Sequence, residues 1–275
     1  MTAFLKMHGL GNDFVVFDAR DAALALTPEQ IRKVADRHFG VGCDTVVVIR
    51  PGGAAADATV QFYNADGAES ESCGNATRCV ARLLLDERGL ARVRISTKGG
   101  LLTCSDAGKG LVTLDMGAPR LDWNQVPLAA AVDTADFPLD VGGATVSASA
   151  VSVGNPHCVL FVPDAAAAPV ETLGPRIETL PFFPNRVNVE FAQVLDPATI
   201  RMRVWERGVG VTLACGTGAC ATAVAAIRRG LTGRKVKLVL DGGALMIEWR
   251  EEDGHVLMTG PAALPFRGRL DLTAL

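Results

Sequence analysis

Short β-branched runs, punctuated by glycine and proline turns, alternate along this 275-residue chain with four stretches that carry an apolar helical stripe. Phe14-Val15-Val16-Phe17 follows the turn Gly9-Leu10-Gly11-Asn12 and predicts a short buried strand. Thr27-Pro28-Glu29-Gln30 is a capping box with proline at the first helical position. It predicts a helix that turns Ile31, Val34 and Ala35 inward and stops near Gly40. Residues 46–49 and 60–63 are further strands, separated by Pro51-Gly52-Gly53, and the second delivers Asn64 to the loop before Cys73. The next helix places Val80, Leu83 and Leu84 on its apolar face and ends at Gly89. Residues 93–96, 101–104 and 111–114 then predict a β-meander. Three prolines (119, 127, 138) and the pair Gly142-Gly143 suit a join between domains over 119–146.

The second half predicts the same order of elements: a strand over 159–162, a helix over 170–180, strands over 187–191 and 200–205, a helix after Cys215, and strands over 236–240, 244–249 and 256–258. Residues at fixed distances match as well. Asn64 lies nine positions before Cys73, and Glu206 lies nine before Cys215. Gly11-Asn12 pairs with Gly154-Asn155, and the glycine pairs 100/117 and 243/260 share one spacing, so four landmarks recur at an offset of 142 to 143 residues. A period this long indicates a duplicated domain rather than a solenoid. The expected architecture is α+β, with two pseudo-symmetric domains, each a mixed sheet wrapped around a central helix, and an active cleft between them. The first domain takes 1–118 and the second takes 119–262.

Charge narrows the partners. Lys plus Arg number 27 against 30 Asp plus Glu, a net charge of −3 without a basic block, which recommends neither nucleic acid nor an anionic membrane. A small-molecule ligand is expected. No apolar run reaches the ~18 residues of a membrane span and the N-terminus has no signal-peptide pattern, so a soluble, cytoplasmic protein is expected. Seven cysteines, an odd number in a long chain, argue for thiols rather than a disulfide framework. Cys73/Cys79 and Cys215/Cys220 lack zinc-knuckle spacing, so no metal is expected.

Cys73 and Cys215 each stand where a helix begins, the first followed by Gly74-Asn75 and the second by Gly216-Thr217-Gly218. A helix N-terminus carries roughly half a positive charge, binds carboxylates and lowers the pKa of a thiol. If the halves are related by a pseudo-twofold axis, the two sulfurs can face one carbon from opposite sides. One thiolate then removes a proton and one thiol returns it, which is epimerisation next to a carboxylate. Backbone N–H groups of Gly74, Asn75, Gly216 and Thr217 would stabilise the charge that enters the carboxylate. No cofactor is then required, and no Schiff-base lysine pocket is evident.

Lys6 through Phe14, Asn64-Ala65-Asp66-Gly67, Cys73-Gly74-Asn75, Gly154 through Cys158, Glu206-Arg207-Gly208 and Ala214 through Cys220 together resemble the diaminopimelate epimerase family. The resemblance runs from Lys6 to Gly260-Pro261. It implies cofactor-independent interconversion of LL- and meso-diaminopimelate in lysine and peptidoglycan precursor biosynthesis, with Cys73 and Cys215 as the acid/base pair and His157 and Glu206 tuning them. It further implies that Asn12, Asn64, Asn155, Asn188, Glu206 and Arg207 hold the substrate, that the C-terminal tail 263–275 completes the first domain, and that the enzyme is a cytosolic homodimer. Thr45 stands where the family usually has a substrate-contacting glutamine, Ala76-Thr77 replaces Gly-Ala, Val211 replaces a glutamate, and Phe266 replaces a tyrosine at the dimer contact. Two alternatives remain at this stage: a two-cysteine racemase of proline, hydroxyproline or another amino acid, and a non-enzymatic carboxylate-binding or redox-sensing protein.

Overall fold

Apolar strands that alternate with turns pair with one repeated connection pattern in the computed structural model, which describes residues 1–71 and 73–273. Ser72 and tail positions 274 and 275 lie outside the described residues. The chain divides into two units, Met1–Leu114 with Thr259–Leu275, and Asp115–Met258.

In the first unit β1 (Thr2–Gly9) is antiparallel to β2 (Asn12–Asp18), β2 is parallel to β3 (Thr45–Pro51), and β3 is antiparallel to β4 (Ala58–Asn64). Helix α1 (Pro28–Ala35) connects β2 to β3, because a parallel pair requires a crossover. The two-residue β5 (Glu69–Ser70) folds back on β4, which also runs parallel to β6 (Arg92–Thr97). Helix α2 (Gly74–Arg88) makes that second crossover, and β7 (Gly100–Asp106) and β8 (Leu111–Asp115) follow. Helix α2 packs on β1, β2, β3, β6 and β7.

The second unit begins with β9 (Phe137–Asp140), antiparallel to β10 (Thr145–Ser152). Strand β10 is antiparallel to β11 (Pro156–Phe161), which is parallel to β12 (Asn188–Asp196) across helix α3 (Val170–Glu178). Strand β13 (Thr199–Glu206) is antiparallel to β12 and to the short β14 (Gly210–Val211), and parallel to β15 (Lys235–Leu240) across helix α4 (Gly216–Arg228). β16 (Gly243–Trp249) pairs with β15, β17 (Val256–Pro261) carries the chain over the unit boundary, and β18 (Ala263–Leu270) pairs with β1 in the first unit. Helix α4 packs on β10 to β13, β15 and β16, and Gly218 through Ala226 are all buried. Each unit is thus an α+β domain with a mixed sheet around a central helix.

Several expectations change in detail. Residues 119–146 do not form a join: Val126, Leu128, Phe137, Leu139 and Val141 enter the second unit's core with Val170, Ile177 and Phe183. Pro138 concealed this strand, yet proline is compatible with β9, which pairs with β10 through an edge position. Helix α1 stops at Ala35 instead of near Gly40, because Asp36 turns to ψ 125° and its carboxylate accepts the N–H groups of His38 and Phe39. On α2, Leu85 is buried where Leu83 had been expected. Strands β1, β9 and β10 were not foreseen.

The first unit offers a direct check of this packing. Ile31 is buried with Phe4, Phe17, Val34 and Val46, so Ile31→Ala should destabilise the protein by about 2–5 kcal/mol. Thr27 accepts the Gln30 N–H while Gln30 Oε1 accepts the Thr27 N–H, and Thr27→Ala should cost about 1 kcal/mol. Denaturant unfolding of both variants measures the difference.

Candidate active site

Cys73 is the N-cap of α2 in an extended conformation, φ −147° and ψ 103°, and its carbonyl accepts both the N–H (2.8 Å) and the hydroxyl (2.9 Å) of Thr77. Asn12, at the start of β2, lies beside it. Its Oδ1 is 3.9 Å from the Cys73 sulfur and accepts from Asn75 Nδ2 at 3.2 Å, while its Nδ2 donates to Asp44 at 2.9 Å. The carboxamide is therefore held from both ends. Asp44 also accepts the Asp13 N–H and pairs with Arg37 at 2.7 Å, and Asp13 pairs with Arg37 (2.7 Å) and Lys6 (2.5 Å). Burial works against the Asp13 carboxylate, but hydrogen bonds and charge from Arg37 and Lys6 win and lower its pKa to about 2. Asn75 Oδ1 accepts from Arg78 at 2.7 Å, and Arg78 is fully buried. Gly9 leaves room for this pair, since a Cβ there would lie 3.1 Å from Arg78 Nη2. Thr45 is buried at the start of β3, paired with Phe14 and Asn64, and Asn64 is exposed at the end of β4.

The second unit repeats the helix start with different chemistry. Cys215 caps α4 at φ −112° and ψ 109°, and its sulfur accepts the Gly218 N–H at 3.3 Å. Thr217 Oγ1 is 3.5 Å from the sulfur and accepts from Asn155 Nδ2 at 3.3 Å. Asn155 Oδ1 lies 3.0 Å from His157 Nε2, and His157 Nδ1 lies 2.6 Å from Glu190 Oε1. Glu206, which ends β13, accepts from Thr212. Burial raises the Glu206 pKa, opposed by its hydrogen bond with Thr212, the charge of His157 and its hydrogen bond with Cys215. Burial, and then the charges of Glu206 and Glu190, push the Cys215 thiol well above the ordinary range despite hydrogen bonds from Thr217 and Gly218. Cys215 is accordingly a thiol here.

Arg207 is exposed, its N–H donates to Asn188 Oδ1 at 2.9 Å, and its guanidinium donates to the Asn185 carbonyl at 3.0 Å. Asn188 in turn donates to the Pro156 carbonyl at 3.0 Å. Glu178 holds the same loop, accepting the Gly208 N–H at 2.9 Å and the Trp205 indole N–H at 2.7 Å.

Within the first unit the structure thus gathers Asn12, Cys73, Gly74 and Asn75, and within the second Asn155, His157, Glu206, Cys215, Gly216 and Thr217. Asn188 and Arg207 form a neighbouring pair. Sequence reading missed Asp44, Arg78, Glu178 and Glu190. Arg78 carried one usable signal, a charge five positions after Cys73 inside an apolar helix. Cys43, Cys79 and Cys104 are buried thiols whose pKa is pushed up by burial to about 12, so they are not poised as nucleophiles. Among the described residues no group of three His, Cys, Asp or Glu converges as metal ligands.

Residues 4–121 and 149–265 match the sequence model of the family described as diaminopimelate epimerase. A relative named diaminopimelate epimerase from Rhodospirillum centenum is 57% identical over 273 residues, 99% of this chain and 93% of that protein. One of the same name from Nostoc punctiforme is 47% identical over 275 residues, 97% of this chain and 99% of that protein. Among solved structures, a hydroxyproline epimerase from Agrobacterium vitis with bound trans-4-hydroxy-L-proline superposes with a TM-score of 0.69 at 17% identity, covering 98% of this chain and 90% of that one. A PhzF-family phenazine biosynthesis protein from Bacillus anthracis gives a TM-score of 0.70 at 17% identity, covering 98% of this chain and 99% of that one. At such identities these two show a shared fold.

Two substitutions test the geometry of the half-sites. A Cβ on Gly218 would lie 2.7 Å from Glu190 Oε1 and 3.2 Å from the Cys215 sulfur. Gly218→Ala should therefore cost about 1–3 kcal/mol in stability and displace the thiol, read by thermal unfolding and by activity. Because the folded-state pKa of Asp13 is depressed, its stabilisation is present above the unfolded value of about 3.9 and is lost as pH falls toward about 2. The melting temperature of Asp13→Asn should lie below wild type at pH 6, and the gap should close over that acid window.

Proposed function

The chain belongs to the diaminopimelate epimerase family and is an isomerase of diaminopimelate in lysine biosynthesis; we propose that Cys73 and Cys215 are its acid/base pair, working without a cofactor. The observation that carries this reading is the repeated helix start, a cysteine in extended conformation capping the central helix of each unit with an asparagine-bearing polar group beside it. The first N–H groups of a helix lack intrahelical acceptors, which makes Gly74-Asn75 and Gly216-Thr217 the anion-binding ends of α2 and α4. A substrate α-carboxylate bound by these ends gains stabilisation as the α-proton leaves and negative charge flows into it. Cys215, kept as a thiol by burial and by Glu206 and Glu190, is the proton donor in this state. Cys73 is then the base, and the roles exchange for the reverse reaction.

Asn12, Asn64, Asn155, Asn188, Glu206 and Arg207 hold diaminopimelate in this reading, with Thr45 beside Asn64 in the strand register. Arg207 is the distal clamp. Its backbone is anchored by Asn188, and its exposed guanidinium exchanges the Asn185 carbonyl for the substrate's far carboxylate. His157 and Glu206 tune the Cys215 end. Racemisation of a single-centre amino acid would need no such clamp, and relatives 47–57% identical carry the diaminopimelate name.

The protein also works as a cytoplasmic homodimer in this reading. No helix of the described residues is long and apolar enough to cross a membrane. Strand β18 exposes Phe266, whose ring packs edge-on against Phe4 at 6.3 Å, and this strand supplies the dimer contact.

LL-diaminopimelate incubated with the protein in D2O should yield the meso form carrying deuterium at one α-carbon. Cys73→Ala and Cys215→Ala should each fall below a few per cent of wild-type epimerisation with the fold intact by circular dichroism, and higher residual activity in either would sink the two-thiol mechanism. Loss of a hydrogen bond to a charged group costs about 1.5–3 kcal/mol, so Arg207→Ala should lower kcat/KM roughly ten- to a hundredfold. Equal turnover of lysine, which lacks the far carboxylate, would overturn the clamp.

A further inference from the structure

Glu190 is fully buried on β12, and beyond its charge acting on Cys215 the reading above gives it no task. Its Oε1 meets His157 Nδ1 at 2.6 Å, and its Oε2 is buried without a partner among the described residues. From there contacts run unbroken through His157 Nε2 and Asn155 Oδ1 (3.0 Å), Asn155 Nδ2 and Thr217 Oγ1 (3.3 Å), to the Cys215 sulfur (3.5 Å). The duplicated frame shows that the sheet itself does not require this chain. His157 lies opposite Asn188 in the register as Phe14 lies opposite Thr45, and Val159 lies opposite Glu190 as Val16 lies opposite Val47. Phe14 and Val47 therefore occupy in the first unit the positions of His157 and Glu190 in the second. A buried carboxyl group beside an imidazole is costly compared with such an apolar pair.

The hydrogen-bond inventory says what the cost achieves. Asn155 Oδ1 can only accept, so His157 Nε2 must carry a hydrogen. Glu190 makes that state compatible with the other ring nitrogen, whether the second hydrogen rests on Nδ1 or on Oε1. We propose that Glu190 is a positioning residue: it keeps His157 Nε2 a donor, and thereby fixes the Asn155 carboxamide so that Nδ2 reaches Thr217 beside the Cys215 thiol. The inference rests on the reading of Cys215 as an acid/base residue. The titratable groups that act on that thiol in its unit are Glu206 on β13 and Glu190 on β12, and His157 on β11 meets Glu190.

In Glu190→Gln the side-chain NH2 donates to Nδ1 and leaves the hydrogen on Nε2, so the productive arrangement survives. In Glu190→Val, which places on β12 the residue type that the first unit carries at Val47, Nδ1 has no partner and the ring is no longer fixed.

The experiment is nitrogen NMR of the full chain labelled at its four histidines, with His157 assigned through His157→Gln, alongside epimerisation kinetics. Wild-type His157 and the Glu190→Gln protein should both carry a hydrogen on Nε2, whereas Glu190→Val should lose that fixed pattern and its kcat/KM should fall at least about tenfold, with Glu190→Gln restoring most of the loss. A bare Nε2 in the wild type, a Glu190→Val enzyme with wild-type rate, or a Glu190→Gln enzyme no more active than Glu190→Val would overturn the proposal. Cys215→Ala in the same assay separates the two readings: its retention of epimerisation defeats the two-thiol mechanism, whereas an inactive Cys215→Ala beside an unaltered Glu190→Val defeats only the role of Glu190.

Discussion

Everything in each unit depends on one constraint, that a helix surrounded by strands exposes its polar backbone only at its ends. Helix α4 is buried from Gly218 to Ala226, and its glycine, alanine and threonine side chains let the strands approach closely. Thr222 meets that demand by donating its hydroxyl to the Met202 sulfur at 3.2 Å. The leading N–H groups are where the fold can hold negative charge, and the residue just outside them is a cysteine in both units. Because the surrounding strands set the depth of the helix, they also set the height of the sulfur. Gly218 shows how little tolerance remains, since a methyl group there would meet both Glu190 and Cys215.

The same frame carries opposite charge in its two copies. Five positions after the capping cysteine, α2 has Arg78 and α4 has Cys220. The first interior therefore holds a guanidinium, which draws the Cys79 and Cys104 thiols downward, although burial outweighs it. The second holds Glu190 and Glu206, which add to burial in raising Cys215. Duplication accounts for the matched helix starts, and divergence at a few buried positions accounts for their different electrostatics.

Much of the fold was legible because it is written in local signals. The Thr27 capping box gave α1, Gly89 in the left-handed conformation ended α2 as expected, and the recurrence of Asn12, Asn64 and Cys73 as Asn155, Glu206 and Cys215 exposed the duplication before any strand was paired. Signals failed where tertiary pairing overrides local preference. Strand β1 is built from Thr2–Gly9, a stretch without strong alternation, and is held between β2 and the distant β18. Strand β9 was hidden by Pro138, whose missing N–H matters little at that edge.

The site divides along the same line. Residues that flank the cysteines in sequence could be named, because spacing from a landmark survives duplication. Residues that fix those side chains could not, because each arrives from another element, Asp44 from the loop before β3, Glu178 from the end of α3 and Glu190 from β12: Asp44 reaches Asn12 across 32 positions, Glu178 reaches Gly208 across 30, and Glu190 reaches His157 across 33. A carboxylate that orients an amide or an imidazole needs only to lie within hydrogen-bond distance in the folded sheet, and many sequence separations satisfy that. These three acidic residues look from sequence like solvated charge or ordinary strand positions. Folding turns them into acceptors that decide which way Asn12, the Arg207 loop and His157 face, so the surroundings of the two cysteines depend on residues that only the tertiary fold brings to them.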